Sequence, residues 1–228
     1  MRENSGVLYH FLSGVIRFIL PILLILSSVW IILQMANYWI PLEYRMPGFP
    51  DDPHGFTLED RLYWSRVDVA YLQNDEGIEY FNAYYLDNGD PMHNARELQH
   101  MEDVKDLIKV TWRVLGLGWV ILILVGALVG TRVGWGQVVD MIATSARSTI
   151  WLMILLALGL VIAFGVLFVG FHRLFFEGDT WLFSYSDTFI RLYPERFWRD
   201  TFALVAIVTL VLSLILRWLP KRIYKFRR

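Results

Sequence analysis

Long apolar runs alternate with polar stretches along this chain, and the runs dominate the pattern. Four of them approach the roughly 20 apolar residues that a helix needs to cross a bilayer: Val15–Ala36, Ile108–Gly130, Ile150–Phe171 and Trp198–Leu219. The third holds no charged residue between Trp151 and Phe171. The second carries Lys109 and Arg113 in its first turns, close enough to one end for their charges to reach water. The fourth is strictly apolar only over Phe202–Leu216, and Trp198 and Trp218 mark its limits. The first run is long and no small-x-small cleavage site comes after it, so it reads as an uncleaved anchor rather than a secretory signal. The polar stretch between the first two runs is too long for an ordinary loop. The pattern predicts an all-α membrane protein, with four transmembrane helices and a small extracytoplasmic cap between helices 1 and 2.

Within that polar stretch, turn chemistry comes first: Pro47-Gly48, Pro50-Asp51-Asp52-Pro53 and His54-Gly55. Thr57-Leu58-Glu59-Asp60 reads as a helix start, with Thr57 as N-cap and Asp60 in the third position. Leu58, Leu62, Val69 and Leu72 give that helix an apolar face. Asn88-Gly89-Asp90-Pro91 is a turn, and Asn82 or Asn94 can cap further structure. From Asn94 the stripe Leu98, Met101, Val104, Leu107 and Ile108 runs helically into the second span.

Charge orients the spans. The tail Lys221-Arg222-Ile223-Tyr224-Lys225-Phe226-Arg227-Arg228 has no acidic residue, Arg132 and Arg147 stand against one Asp140, and Arg2 and Arg17 against Glu3. The positive-inside rule puts these three segments in the cytoplasm. The expected layout is a cytoplasmic N-terminus and first helix over 1–40, the cap over 41–107, and spans at 108–130, 150–171 and 198–219. A cytoplasmic loop fills 131–149, an extracytoplasmic loop 172–197 and the basic tail 220–228. The cap is strongly acidic, which argues against nucleic acid as a partner.

Composition agrees and excludes some chemistry. The chain of 228 residues is 56% hydrophobic, with a mean hydropathy of +0.42. It has no cysteine, which removes disulfides, thiolate catalysis and Cys-ligated metals. There is no G-x-S-x-G, P-loop or dinucleotide fingerprint. A metal would need three or four ligands. His93, His100 and His172 with Asp103 or Asp179 offer them, but no H-x-x-x-H or H-E-x-x-H spacing exists. His93 and His100 are two turns apart, too far for one ion on a straight helix. Neither a metal nor a cofactor is expected.

Two histidines lie just outside the spans. On the His100 helix, Arg96 and Asp103 share its face at spacings of four and three. A carboxylate there fixes an imidazole's tautomer and raises its basicity. His172 directly succeeds the uncharged third span, with Asp179 and Thr180 after the turn at Gly178. An ionisable residue at that depth is a functional candidate. The plainer readings are a surface helix with routine ion pairs and a histidine capping a helix C-terminus. Aromatics crowd the same region, including Tyr80, Phe81, Tyr84, Tyr85, Phe175, Phe176, Trp181 and Phe183. They form either an interfacial belt or a pocket for a lipid.

Both segments resemble a known family. Glu97-Leu98-Gln99-His100-Met101-Glu102-Asp103-Val104-Lys105 is similar to the E-L-x-H-M-x-D-V-K segment of the lipoprotein intramolecular transacylases, the Lit family. His172 to Trp181 resembles that family's H-x-x-F-F-x-N-D-T-W, and Asp187, Ile190, Pro194-Glu195 and Phe197 match its D-x-L-I-x-x-x-P-E-x-F. Three departures stand out: Gly178 for Asn, Phe183-Ser184 for a Leu-Asp or Phe-Asp pair, and Phe189 where Leu is commoner. The resemblance implies a multi-pass enzyme of the bacterial cell membrane whose site faces outward. Its substrate would be a diacylated lipoprotein within membrane lipid. It would move the sn-2 acyl chain to the α-amine of the lipoprotein's own N-terminal cysteine, leaving a lyso-form product. His100 and His172 would share acid and base roles, in an order the sequence leaves open. Asp103 and Asp179 would orient them, Arg96 or Arg173 would stabilise the oxyanion, and Trp181, Phe175, Phe176 and Tyr85 would line the substrate site. His54 and His93 fall outside the matched motifs and are expected to matter far less. The competing reading is a non-catalytic assembly factor or receptor that binds a partner through its acidic cap.

Overall fold

The computed structural model describes residues 2–226, so Arg227 and Arg228 of the basic tail lie outside the described residues. Seven α-helices and one 3-10 turn make up the described chain: α1 (Arg2–Gln34), α2 (Ala36–Glu43), α3 (Leu58–Gln73), the 3-10 turn Ile78–Ala83, α4 (Ala95–Arg132), α5 (Trp135–Phe175), α6 (Thr188–Leu192) and α7 (Glu195–Phe226). Four helices are long and apolar enough to cross a membrane, at His10–Gln34, Ala95–Arg132, Trp135–Phe175 and Glu195–Pro220. The protein is an all-helical, multi-pass membrane protein. Two of these helices outrun the bilayer: at 1.5 Å per residue α4 is about 57 Å long, against about 40–45 Å for a bilayer with its headgroups. The charged residues Arg96, Glu97, Glu102, Asp103, Lys105 and Asp106 occupy its first turns, so this end stands outside the hydrocarbon.

The chain divides into two compact units. One comprises Met1–Ile31, Thr111–Val161 and Ala203–Arg228. Its core is a stripe on α1, made of Leu12, Ile16, Leu20, Leu23 and Leu24, against Leu122 and Val129 of α4 and Val138 and Met141 of α5. Hydrogen bonds join its helices where no water competes: Trp119 Nε1 donates to Ser27 Oγ at 3.2 Å, and Thr209 Oγ1 to Ser28 Oγ at 2.8 Å. The outward side chains are apolar and bare, as with Ile123, Leu155 and Val161. Such a surface is what lipid tails cover.

The segment 131–149 differs from its expected form. Only residues 133 and 134 separate α4 from α5. Gly134 adopts φ +122, a conformation that glycine enters without a Cβ clash. The N–H groups of Val133 and Gly134 both return to the carbonyl of Val129, which closes the end of α4. Helix α5 then begins at once, with Val138, Met141 and Ser145 buried along one face. Arg147 and Asp140 punctuate the sequence there, but they occupy the other faces of a helix.

The second unit comprises Ile32–Val110 and Ile162–Phe202. Its core gathers Ile40 of α2, Tyr44 just after it, Trp64 and Tyr71 of α3, Phe81, Met92, Met101, Phe189, Leu192, Tyr193 and Phe197. Helix α3 starts as its sequence predicts: Asp60 N–H donates to Thr57 Oγ1 while Thr57 N–H donates to the Asp60 carboxylate. Of its expected apolar face, Val69 is buried and Leu62 and Leu72 pack against the core, while Leu58 is exposed. The buried side is wider than expected and takes in Arg61, Trp64, Ser65, Val67, Asp68 and Tyr71. Polar residues can take that face because each finds a partner. Helix α4 has its own capping box. Asn94 Oδ1 accepts from the N–H groups of Arg96 and Glu97, and Glu97 Oε2 accepts from Asn94 N–H at 2.8 Å. Further along α4, buried Lys105 donates to Asn74 Oδ1 and to the carbonyl of Glu76, and lies 3.9 Å from the Tyr71 ring centroid. It ties α4 to the end of α3.

Candidate functional site

Helix α4 presents His100 and the end of α5 presents His172, both within the second unit. Their rings lie 5.9 Å apart, centroid to centroid, and are nearly parallel at 25°. Both side chains are buried. Aromatic rings box them in. His100 meets Phe176 at 4.8 Å, Phe183 at 5.4 Å and Phe189 at 5.8 Å. His172 meets Phe168 at 4.2 Å, Trp181 at 4.8 Å and Phe176 at 5.5 Å. Phe176 thus touches both imidazoles.

Hydrogen bonding sets the two rings apart. His172 Nδ1 lies 2.8 Å from the carbonyl oxygen of Phe168, one turn back on α5. A carbonyl only accepts, so Nδ1 carries the proton and Nε2 keeps its lone pair. His100 Nδ1 is buried without a hydrogen-bond partner. Burial first, then the neighbouring His172, pushes the His100 imidazole down to about 4, and Asp103 pulls weakly the other way. His100 is therefore neutral at pH 7.

The other sequence candidates fall at different distances from this pair. Asp103 accepts from Gln99 Nε2 and Thr180 Oγ1, and so holds the loop after α5 against α4. Arg96 Nη1 donates to the carbonyl of Leu182 in the same loop. Asp179 and Arg173 are exposed; the oriented nitrogen of His172 points to a main-chain carbonyl instead. Of the four expected lining residues, Phe176 and Trp181 contact the histidines, and Trp181 Nε1 is fixed on the carbonyl of Gly178. Phe175 packs on Phe171 at 4.9 Å and is half exposed, and Tyr85 is exposed at the pairing of residue 85 with Pro91. Among the described residues no three His, Asp or Glu side chains converge as a metal site requires.

The three departures from the family pattern all fall at this site. Gly178 has φ +64, the left-handed region that asparagine also enters readily. The exchange leaves the backbone conformation available. Phe183 and Phe189 stack on one another, 5.2 Å apart and 14° from parallel, and both lie against His100.

Sequence reasoning missed a buried polar cluster behind that stack. His93 Nε2 lies 2.7 Å from Asp68 Oδ1, and Tyr193 donates its hydroxyl to Asp68 Oδ2 at 3.0 Å. Glu97 Oε1 stands 3.8 Å from His93 Nδ1 and accepts the N–H of Phe189 at 2.7 Å. Burial opposes a charge on His93, but Asp68 and then Glu97 outweigh it and raise the imidazole to about 9. The one available signal was Glu97, three residues past an Asn cap and inside the matched motif.

Residues 15–198 match the family model described as lipoprotein intramolecular transacylase Lit. A protein of Aquifex aeolicus described only as uncharacterized is 28% identical over 186 residues, covering 80% of this chain and 82% of the relative. The membrane-integral lipoprotein intramolecular transacylase Lit from Bacillus cereus superposes with a TM-score of 0.78 at 19% identity, over 98% of this chain and 99% of that one. A form of it bearing a histidine-to-alanine substitution gives 0.76 at 19% identity, over 99% and 98%. At that identity the likeness speaks for the fold, while the family match covers most of the chain: the protein belongs to the Lit family of lipoprotein intramolecular transacylases.

Proposed function

We propose that this transacylase moves the sn-2 acyl chain of a diacylglyceryl lipoprotein onto the α-amine of the same molecule's N-terminal cysteine, with His100 and His172 carrying the proton. The observation that supports this most is the stacked histidine pair, 5.9 Å apart in an aromatic box. An α-amine has a pKa of about 7.7–8.0 and must shed a proton to attack an ester. His172, with Nδ1 engaged by Phe168, offers Nε2 as the base. The ammonium proton passes by way of His172 to water; the neutral amine nitrogen then bonds to the ester carbon and gives a second proton to the pair. The tetrahedral intermediate then collapses, the C–O bond to the glycerol sn-2 oxygen breaks, and that oxygen takes the proton back. Proton count balances, and no protein nucleophile or cofactor enters.

The aromatic box contributes by orientation and by excluding water. Amine and ester belong to one substrate, so the rate depends on folding that substrate into contact. Phe176 and Trp181 hold the reacting groups over the imidazoles, and Asp103 secures the loop that carries Trp181. Arg96, beside that loop, and Arg173, at headgroup level, are the cations nearest in sequence to the two histidines and serve the oxyanion and the substrate headgroup. The acidic segment 41–107 and the basic ends favour a site on the outer face of the cell membrane, with residues 41–107 extracytoplasmic.

The test is expression in a host that makes only diacylated lipoproteins, with lipoprotein N-termini read by mass spectrometry. Wild type should yield N-acylated lyso-form lipoproteins, and His100→Ala and His172→Ala should not. Unchanged lipoproteins in the presence of folded wild-type protein would overturn the reading.

A further inference from the structure

We propose that His93, hydrogen-bonded to Asp68, itself held by Tyr193, and ion-paired with Glu97 at 3.8 Å, is a positioning residue for acyl transfer, setting the place of the Phe189–Phe183 stack against His100. The proposal rests on the reading of His100 as a proton carrier.

The cluster is buried throughout: His93, Asp68 and Glu97 are each 2% exposed or less. Such groups are costly to bury unless paired, and here the pairing joins segments far apart in the sequence. Its members come from four places in the sequence. Asp68 sits on α3, His93 on the turn before α4, Glu97 in the first turn of α4, and Tyr193 at the end of α6. The groups facing His93 from these elements are the carboxylates of Asp68 and Glu97 and the rings of Phe81, at 5.0 Å, and Phe189, at 5.2 Å. The Tyr193 hydroxyl reaches the same Asp68 carboxylate.

Glu97 is the link to the site. One of its oxygens closes the capping box of α4, and the other accepts the N–H of Phe189. That bond fixes the first turn of α6 relative to the helix bearing His100. The Phe189 ring stands between the two histidines, 5.2 Å from His93 and 5.8 Å from His100. A cation at His93 holds Asp68 and Glu97 together, which two carboxylates alone would not tolerate. Loss of that cation frees Glu97, then Phe189, then the packing on His100. With a proton held up to about pH 9, the device stays set across the neutral range.

The experiment is His93→Gln in the full chain, with imidazoles monitored by NMR of histidine-labelled protein in detergent and N-acylation assayed in parallel. The expected result is a folded enzyme whose His100 titration moves up from about 4 toward the ordinary value, as water reaches a loosened box. Turnover should fall by about 10–100-fold, the scale of a small misplacement, with little change in KM. Wild type should lose activity near pH 9, and His93→Gln should lack that alkaline limb. A residue of merely structural importance would lower the yield of folded protein and leave these readouts alone. Wild-type His100 titration and turnover in folded His93→Gln would overturn the proposal. If His93→Gln does not fold, Tyr193→Phe, which deletes one bond to Asp68, must shift His100 in the same direction; no shift there overturns it equally. A shifted His100 in a protein whose wild type performs no N-acylation would uphold the positioning and reject the proposed reaction.

Discussion

The carboxylate of Glu97 receives the backbone N–H of Phe189 at 2.7 Å, across 92 residues of chain. Its second oxygen holds the N–H of Asn94, so one side chain fixes the starts of two helices. Glu97→Ala removes a cap and a charge-assisted bond and leaves Phe189 N–H without its acceptor. It should lower stability by about 2–4 kcal/mol, read as an earlier midpoint on titration with a denaturing detergent. An unchanged midpoint would mean that the link contributes nothing.

For the two stacked imidazoles the expectation is severe loss with the fold retained. His100→Ala and His172→Ala should each reduce N-acylation by about 10²–10⁴-fold, the usual contribution of a general acid or base. His54, exposed on the turn before α3, provides the control, and His54→Ala should behave as wild type. A chelator should leave activity intact. Inhibition by a chelator, restored by zinc, would point to a metal instead.

Acid should silence the reaction by way of the substrate. His100 stays neutral down to about pH 4, while the substrate amine gains its proton below about 7.7–8.0. The acid limb of turnover should therefore track the amine, and should shift when the amine's pKa is altered. A limb fixed near 4 with every substrate would assign it to His100.

Stability should depend on pH in opposite senses at the two histidines near the start of α4. The folded state lowers the His100 pKa, so the unfolded chain binds more protons between about 4 and the ordinary 6.5, and stability falls as pH drops through that window. The folded state raises the His93 pKa to about 9. Its contribution is complete below 6.5 and is lost as pH rises through 9. Unfolding midpoints across pH should show both limbs; His100→Ala should flatten the acid one and His93→Gln the alkaline one. A single limb shared by both variants would contradict this assignment.

Orientation in the membrane is open to direct measurement because the chain has no cysteine. Cysteines at Asp75 and at Lys225 should react differently with an impermeant thiol reagent in intact cells. Labelling at 75 and not at 225 is expected from the acidic and basic segments. The reverse result would invert the topology.

Much of this fold was legible because local rules decide it. Thr57 and Asp60 announce α3, and Asn94 begins a helix that continues into the second span, as the periodicity of residues 98–108 requires. The polar residues misled where burial reversed their usual meaning. Asp68 faces the core where Leu58 does not, because its partners His93 and Tyr193 arrive from distant segments. Arg147 and Asp140 resembled loop residues while Val138 and Met141, at helical spacing, were packing inward. Both catalytic candidates stood out in the sequence. The pairing of His93 with Asp68 and Tyr193 did not, since it joins residues 25 and more positions apart with no motif between them. Nor did the partner of His172, which is a backbone atom and has no letter of its own.

That last bond gives the site an uneven tolerance to mutation. The carbonyl of Phe168 exists whatever side chain sits at 168, so no single substitution can delete the group that orients His172. The packing on His100 depends instead on replaceable side chains: the rings of Phe176, Phe183 and Phe189 directly and, on the positioning role proposed above, Asp68, His93, Glu97 and Tyr193 behind them. Genetic drift in this chain would therefore strike the two halves of the stacked histidine pair at very different rates. Deleterious variants outside the histidines themselves should gather on the His100 side.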